Sequence, residues 1–66
     1  MNAALLQLTH TVEVTVKGGD YTYKGTLAGM AVKRSGVIRY VVEDDSGRLF
    51  IHSAQQLGKE EGWMPS

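Results

Sequence analysis

Two histidines, a few hydroxyls and a run of acids are the side chains of this 66-residue chain that could do chemistry. His10 and His52 are far apart in sequence. There is no cysteine, and no carboxylate stands at ligand spacing from either histidine, so the pattern predicts no metal site. Both histidines are read as partly exposed strand residues. A serine nucleophile would have to be Ser35, Ser46 or Ser53 near His52. Ser53 is the immediate neighbour of His52, which on a strand sends the two side chains to opposite faces. Ser53 followed three positions later by Gln56 fits a capping box better. Glu43, Asp44 and Asp45 could form an acid–base pair, but they run into Ser46-Gly47, which is the composition of a solvated turn. Neither G-x-x-x-x-G-K-[ST] nor G-x-G-x-x-G occurs, so no phosphate loop is expected. These absences predict a chain that is not an enzyme and takes no cofactor.

Aromatic and basic residues form a fuller pattern. Residues 17–39 hold Lys17, Lys24, Lys33, Arg34 and Arg39 against the single acid Asp20, interleaved with Tyr21 and Tyr23. Cations that follow phosphates beside tyrosines that stack bases suit single-stranded nucleic acid. The same residues suit a solvated hairpin whose tyrosines pack across strands. Residues 40–66 reverse the balance, with Arg48 and Lys59 against Glu43, Asp44, Asp45, Glu60 and Glu61. The whole chain carries seven basic and seven acidic residues and no net charge, which argues against a whole-molecule binder of duplex DNA and against an acidic mimic of it. The natural contact residues for a protein partner are Tyr21, Tyr23, Phe50 and Trp63, with Tyr40.

These side chains are positioned by short strands. Val12, Val14 and Val16 alternate with Glu13 and Thr15, which predicts a half-buried strand over residues 9–17. Gly18-Gly19-Asp20 breaks it. Residues 21–33 read as a second strand, with Gly25 and Gly29 marking bends or bulges. Arg34-Ser35-Gly36 predicts a tight turn. Residues 37–44 form the strongest strand, with Ile38, Tyr40 and Val42 on one face. Asp44-Asp45-Ser46-Gly47 predicts a turn with a left-handed glycine. In the strand over residues 48–52, Leu49 and Ile51 are expected inward and Phe50 outward. One 3₁₀ turn is expected near residues 53–57. Residues 1–8 are read as an arm or short helix, 9–58 as the β domain and 59–66 as a tail that closes the barrel as a strand or frays. The expected core is Val12, Val14, Val16, Leu27, Met30, Val32, Ile38, Tyr40, Val42, Leu49, Ile51 and Leu57. Four to five antiparallel strands in so short a chain predict a small all-β barrel, since closure removes exposed edges.

The order of strand, long loop, three strands joined by tight turns and a 3₁₀ turn resembles the SH3-like barrel. The segment I-R-Y-V-V-E-D-D-S-G-R-L-F-I-H-S-A-Q-Q-L, residues 38–57, is similar to small uncharacterised proteins of phages and bacterial mobile elements. That likeness implies a fold and a bacterial or phage cytoplasmic setting, and no chemistry. Leu49-Phe50-Ile51-His52 occupies the place of the V-Q-I-Y motif of plasmid-type dihydrofolate reductases and matches it only at Ile51, so the substrate contacts of that family do not carry over. The run V-E-V-T-V-K-G-G-D-Y-T-Y-K-G-T-L resembles the first motif of Sm-like RNA-binding barrels at Val12, Val14, Lys17, Gly25 and Leu27. That family's following Asp and Asn are replaced by Gly29-Met30-Ala31.

The longest apolar run is far short of the ~20 residues that span a bilayer. The start of the chain has no basic n-region, so no signal peptide is expected. The function expected from these features is a small non-catalytic interaction module of the cytoplasm, binding a protein or itself. The alternative is a barrel that binds single-stranded nucleic acid through Lys17, Lys24, Lys33, Arg34 and Arg39.

Overall fold

The protein is described by a computed structural model covering residues 4–6, as backbone, and 11–65. The fold is all-β and antiparallel. Five strands, β1 (Ala4–Leu6), β2 (Glu13–Lys17), β3 (Thr22–Val32), β4 (Ile38–Glu43) and β5 (Leu49–His52), precede a 3₁₀ turn at Gln55–Leu57. Ala4–Leu6 are thus strand rather than helix. His10 and the beginning of the expected first strand lie outside the described residues.

β3 organises the sheet. It is 11 residues long and pairs with β4 along one edge. Its other edge is shared, β2 taking the first half and β1 the second. One strand can serve two partners because it bends. The β3–β4 register shifts between Leu27 and Gly29, a bulge at the site of a predicted one. The turns are those the glycines predict. Gly36 and Gly47 have φ of 91° and 86°, where an L side chain is strained. The Gly36 N–H donates to Lys33 and the Gly47 N–H to Asp44.

Val14, Val16, Leu27, Met30, Tyr40, Val42, Ala54 and Leu57 are buried, and Val12, Tyr23, Ile38 and Trp63 pack against them. Three expected core residues are absent from this set, the half-buried Val32 and two residues of β5. Leu49 and Ile51 are 62% and 66% exposed, whereas His52, expected near the surface, is buried. The alternation in β5 is real but its phase is opposite to the expected one. The three-residue loop Asp45-Ser46-Gly47 sets Asp44 against Arg48, so Val42 meets Phe50 and Tyr40 meets His52. Directly opposed residues share a face. Phe50 and His52 therefore lie on the inner face with Tyr40 and Val42, and Leu49 and Ile51 lie outside.

The sheet is open. No ladder joins β2 to β5 among the described residues. The 3₁₀ turn instead packs on β2 and places Leu57 in the core. The capping box forms as read: the Gln56 N–H donates to Ser53 Oγ (3.4 Å) and the Ser53 N–H to Gln56 Oε1 (3.0 Å). The tail adds no strand among the described residues. The Trp63 N–H donates to the Glu60 carbonyl and the Trp63 carbonyl accepts the Tyr40 hydroxyl at 2.6 Å. No helix among the described residues is long and apolar enough to cross a membrane.

Candidate functional site

The bend of β3 brings its first residues over the inner face of β5. Between them lies a cleft of about 750 Å³ lined by Tyr21, Tyr23, Lys24, Asp44, Asp45, Arg48, Phe50 and His52. Tyr21 and Tyr23 lie nearly parallel, with centroids 6.3 Å apart and planes at 29°. Phe50 meets Tyr23 edge-on at 6.2 Å.

A chain of hydrogen bonds fixes these rings from behind. Because Gln56 Oε1 accepts the Ser53 N–H, it must also accept from the His52 Nδ1–H (3.3 Å). His52 Nε2 is then the acceptor for the Tyr23 hydroxyl at 2.6 Å. Gln56 Nε2 donates to the Tyr21 hydroxyl at 3.2 Å. Burial, then the nearby Tyr21 and Asp44 charges, raise the Tyr23 phenol above its ordinary pKa, so it stays a donor. The hydroxyls of both tyrosines are hydrogen-bonded inside the molecule, and their rings line the cleft. His52 and Gln56 are positioning residues that the sequence reading missed. Counting the β4–β5 register outward from Gly47 would have found His52.

Tyr21 is seated by a glycine. The Gly18 N–H donates to the Tyr21 carbonyl, closing a tight turn that lays the ring on Gly18. A Cβ at Gly18 would overlap ring atoms of Tyr21, so only glycine lets the ring lie there.

The rim carries two cations, Lys24 and Arg48, and two acids, Asp44 and Asp45. Arg48 lies over the Phe50 ring, 5.6 Å from its centroid, and its Nε donates to Asp44 at 3.0 Å. Desolvation would raise the Asp44 carboxyl. Hydrogen bonds from the Arg48 N–H, the Ser46 hydroxyl and N–H, and the Arg48 side chain outweigh it and hold the pKa at about 2. A carboxyl depressed in the folded state stabilises it fully above the unfolded value near 3.8, and that contribution is lost as pH falls through about 2. Asp44→Asn is therefore expected to lower the urea midpoint at neutral pH, with the gap to the parent protein narrowing between pH 4 and 2. Urea titrations of both proteins across that range check it.

The expected basic face is not assembled. Of its five cations only Lys24 lines the cleft. Lys33 and Arg39 border a separate depression with Ala31 and Ile51. Arg34 sits in the β3–β4 turn, and Lys17 ends β2. Arg39 is also 4.0 Å from Glu61. Among the contact candidates, Tyr21, Tyr23 and Phe50 meet in the cleft. Tyr40 is fully buried, and Trp63 is half-buried against it with Lys59 over its ring. Both serve the core, because the Tyr40 hydroxyl needs the Trp63 carbonyl. No group of three His, Asp or Glu residues able to hold a metal occurs among the described residues. No protein-family model, curated protein or solved structure matches the chain.

Proposed function

We propose that this chain is a small non-catalytic interaction module that receives a short extended peptide of a protein partner in the aromatic cleft. One observation carries the reading: Tyr21, Tyr23 and Phe50 line one cleft with their rings, while the two tyrosine hydroxyls are hydrogen-bonded within the molecule. Such a surface gains from covering apolar side chains, proline included, and rigid rings lose little entropy on binding. The rim supports the same reading, since its two cations are matched by two acids and Arg48 is already engaged by Asp44. A strand of phosphates would need several free cations in line, and those are dispersed. The setting proposed is the bacterial or phage cytoplasm, supported by the likeness of residues 38–57 and the absence of cysteine.

The test is a displayed library of random ten-residue peptides, followed by anisotropy with the enriched sequence. Tyr21→Ala and Phe50→Ala are each expected to weaken binding at least about tenfold. Gly18→Ala, which displaces Tyr21 without touching the core, should do the same with unchanged circular dichroism. Affinity should move less than about threefold between 50 and 200 mM salt, whereas 6–10 phosphate contacts would cost ~10³–10⁵. No enriched peptide, together with salt-sensitive binding of a labelled single-stranded RNA, would replace this reading with the nucleic-acid one.

A further inference from the structure

β5 is the last strand of the sheet formed by the described residues, and its outer edge carries no strand partner among them. Leu49-Phe50-Ile51-His52 contains no proline, lysine or acid and no bulge, the devices that ordinarily blunt an edge. The outer edge of β2, by contrast, is flanked by exposed Glu13 and Lys17.

The hydrogen-bond phase of β5 follows from the hairpin. The Asp44 N–H donates to the Arg48 carbonyl at 2.9 Å, making that a bonded pair. Bonded and non-bonded pairs alternate in an antiparallel ladder. Phe50 and His52 thus turn their backbone groups to β4, while Leu49 and Ile51 turn theirs outward. The free groups lie symmetrically about Phe50, and the side chains of the same two residues are the most exposed apolar ones of the strand.

We propose that β5 pairs antiparallel with β5 of a second copy of this chain, about a two-fold axis through Phe50. In this register Leu49 of each copy faces Ile51 of the other. The outward N–H and C=O groups then make four hydrogen bonds. The leucine and isoleucine side chains cover each other on the outer face, and the two Phe50 rings meet on the inner face, bringing the clefts together. A second copy fits better than an unrelated strand because the edge is self-complementary in both bonding and side chains. The chain's zero net charge and the internal Asp44–Arg48 pair set up no repulsion between copies. The pairing does not depend on what the cleft binds. A four-residue edge buries less than the ~800 Å² per partner of a standard interface, so the dimer should be weak.

Sedimentation equilibrium of the full chain from about 5 to 500 µM tests this. The mass should rise from the 7.2 kDa monomer to twice that and stop. Ile51→Lys, on an exposed position, should weaken the dimer at least tenfold with the β-sheet circular dichroism retained. The parent has no cysteine, so Phe50→Cys provides an independent readout: it should form a disulfide-linked dimer under mild oxidant, whereas Thr15→Cys on the exposed face of β2 should not. A monomer at 500 µM, growth past two copies, an undiminished dimer in folded Ile51→Lys, or equal cross-linking at positions 15 and 50 would each overturn the proposal.

Discussion

Tyr40→Ala is expected to leave the chain largely unfolded at 25 °C. The ring is fully buried at the centre of β4 and packs on Trp63 with centroids 5.6 Å apart. Its hydroxyl donates to the Trp63 carbonyl at 2.6 Å, which holds the tail on the sheet. Burial, with Glu61 adding to it, raises the phenol's pKa, so the donor persists into alkaline solution. Truncating a buried aromatic costs ~3–5 kcal/mol. A domain of this size has only ~3–10 kcal/mol in total, at about 0.05–0.15 per residue. Tyr40→Phe keeps the ring and loses one hydrogen bond, about 1 kcal/mol, so it should fold with a lowered midpoint. Trp63 is the only tryptophan and lies against the substituted site, so its emission during urea unfolding reports directly. A Tyr40→Ala protein that unfolds cooperatively near the parent midpoint would show that Tyr40 is a surface residue after all.

The contrast between Tyr40 and Phe50 shows what could be read from the residues alone. Strand positions, the glycine turns, the capping box and the bulge near Gly29 are local events, encoded within a few residues of where they occur. The phase of β5 is not local. Alternation in L-F-I-H says that two residues face each way, and hydrophobicity then favours Leu49 and Ile51 as the inner pair. The loop register decides otherwise, because a three-residue connection places His52 opposite Tyr40. The cleft depends on that outcome together with the bend of β3, which sets Tyr23 within reach of His52, 29 positions away. Tyr21, Tyr23 and Phe50 could be singled out by type. Their common floor of His52 and Gln56 was not, since each of those polar residues finds its partners across the fold. The dispersal of the five cations has the same origin: the length of β3 separates Lys17 and Lys24 at its start from Lys33, Arg34 and Arg39 at its far end.

The second large effect is expected at a glycine of β3 that lies tight against β4. Gly25 faces Val14 of β2 in the ladder, and its neighbour Thr26 pairs with Glu43 of β4. A Cβ there would sit 2.6 Å from Val42 Cγ1 and 2.7 Å from the Glu43 carbonyl oxygen. Neither neighbour can yield cheaply. Val42 is fully buried, so a new rotamer must displace another core side chain, and the Glu43 oxygen belongs to the backbone of a central strand. Gly25→Ala should therefore cost at least the ~1–3 kcal/mol of an overpacked core, and lower the melting temperature by roughly 5–20 °C. Gly19→Ala adds the same atom where nothing lies within 4 Å, and should change the melting temperature little. Thermal melts of the two variants against the parent make the comparison. Near-equal melting temperatures would mean that β3 and β4 do not approach as closely as described. A selective loss at Gly25 would show that the stability of the sheet depends on the close approach of β3 to β4 two residues beyond Tyr23.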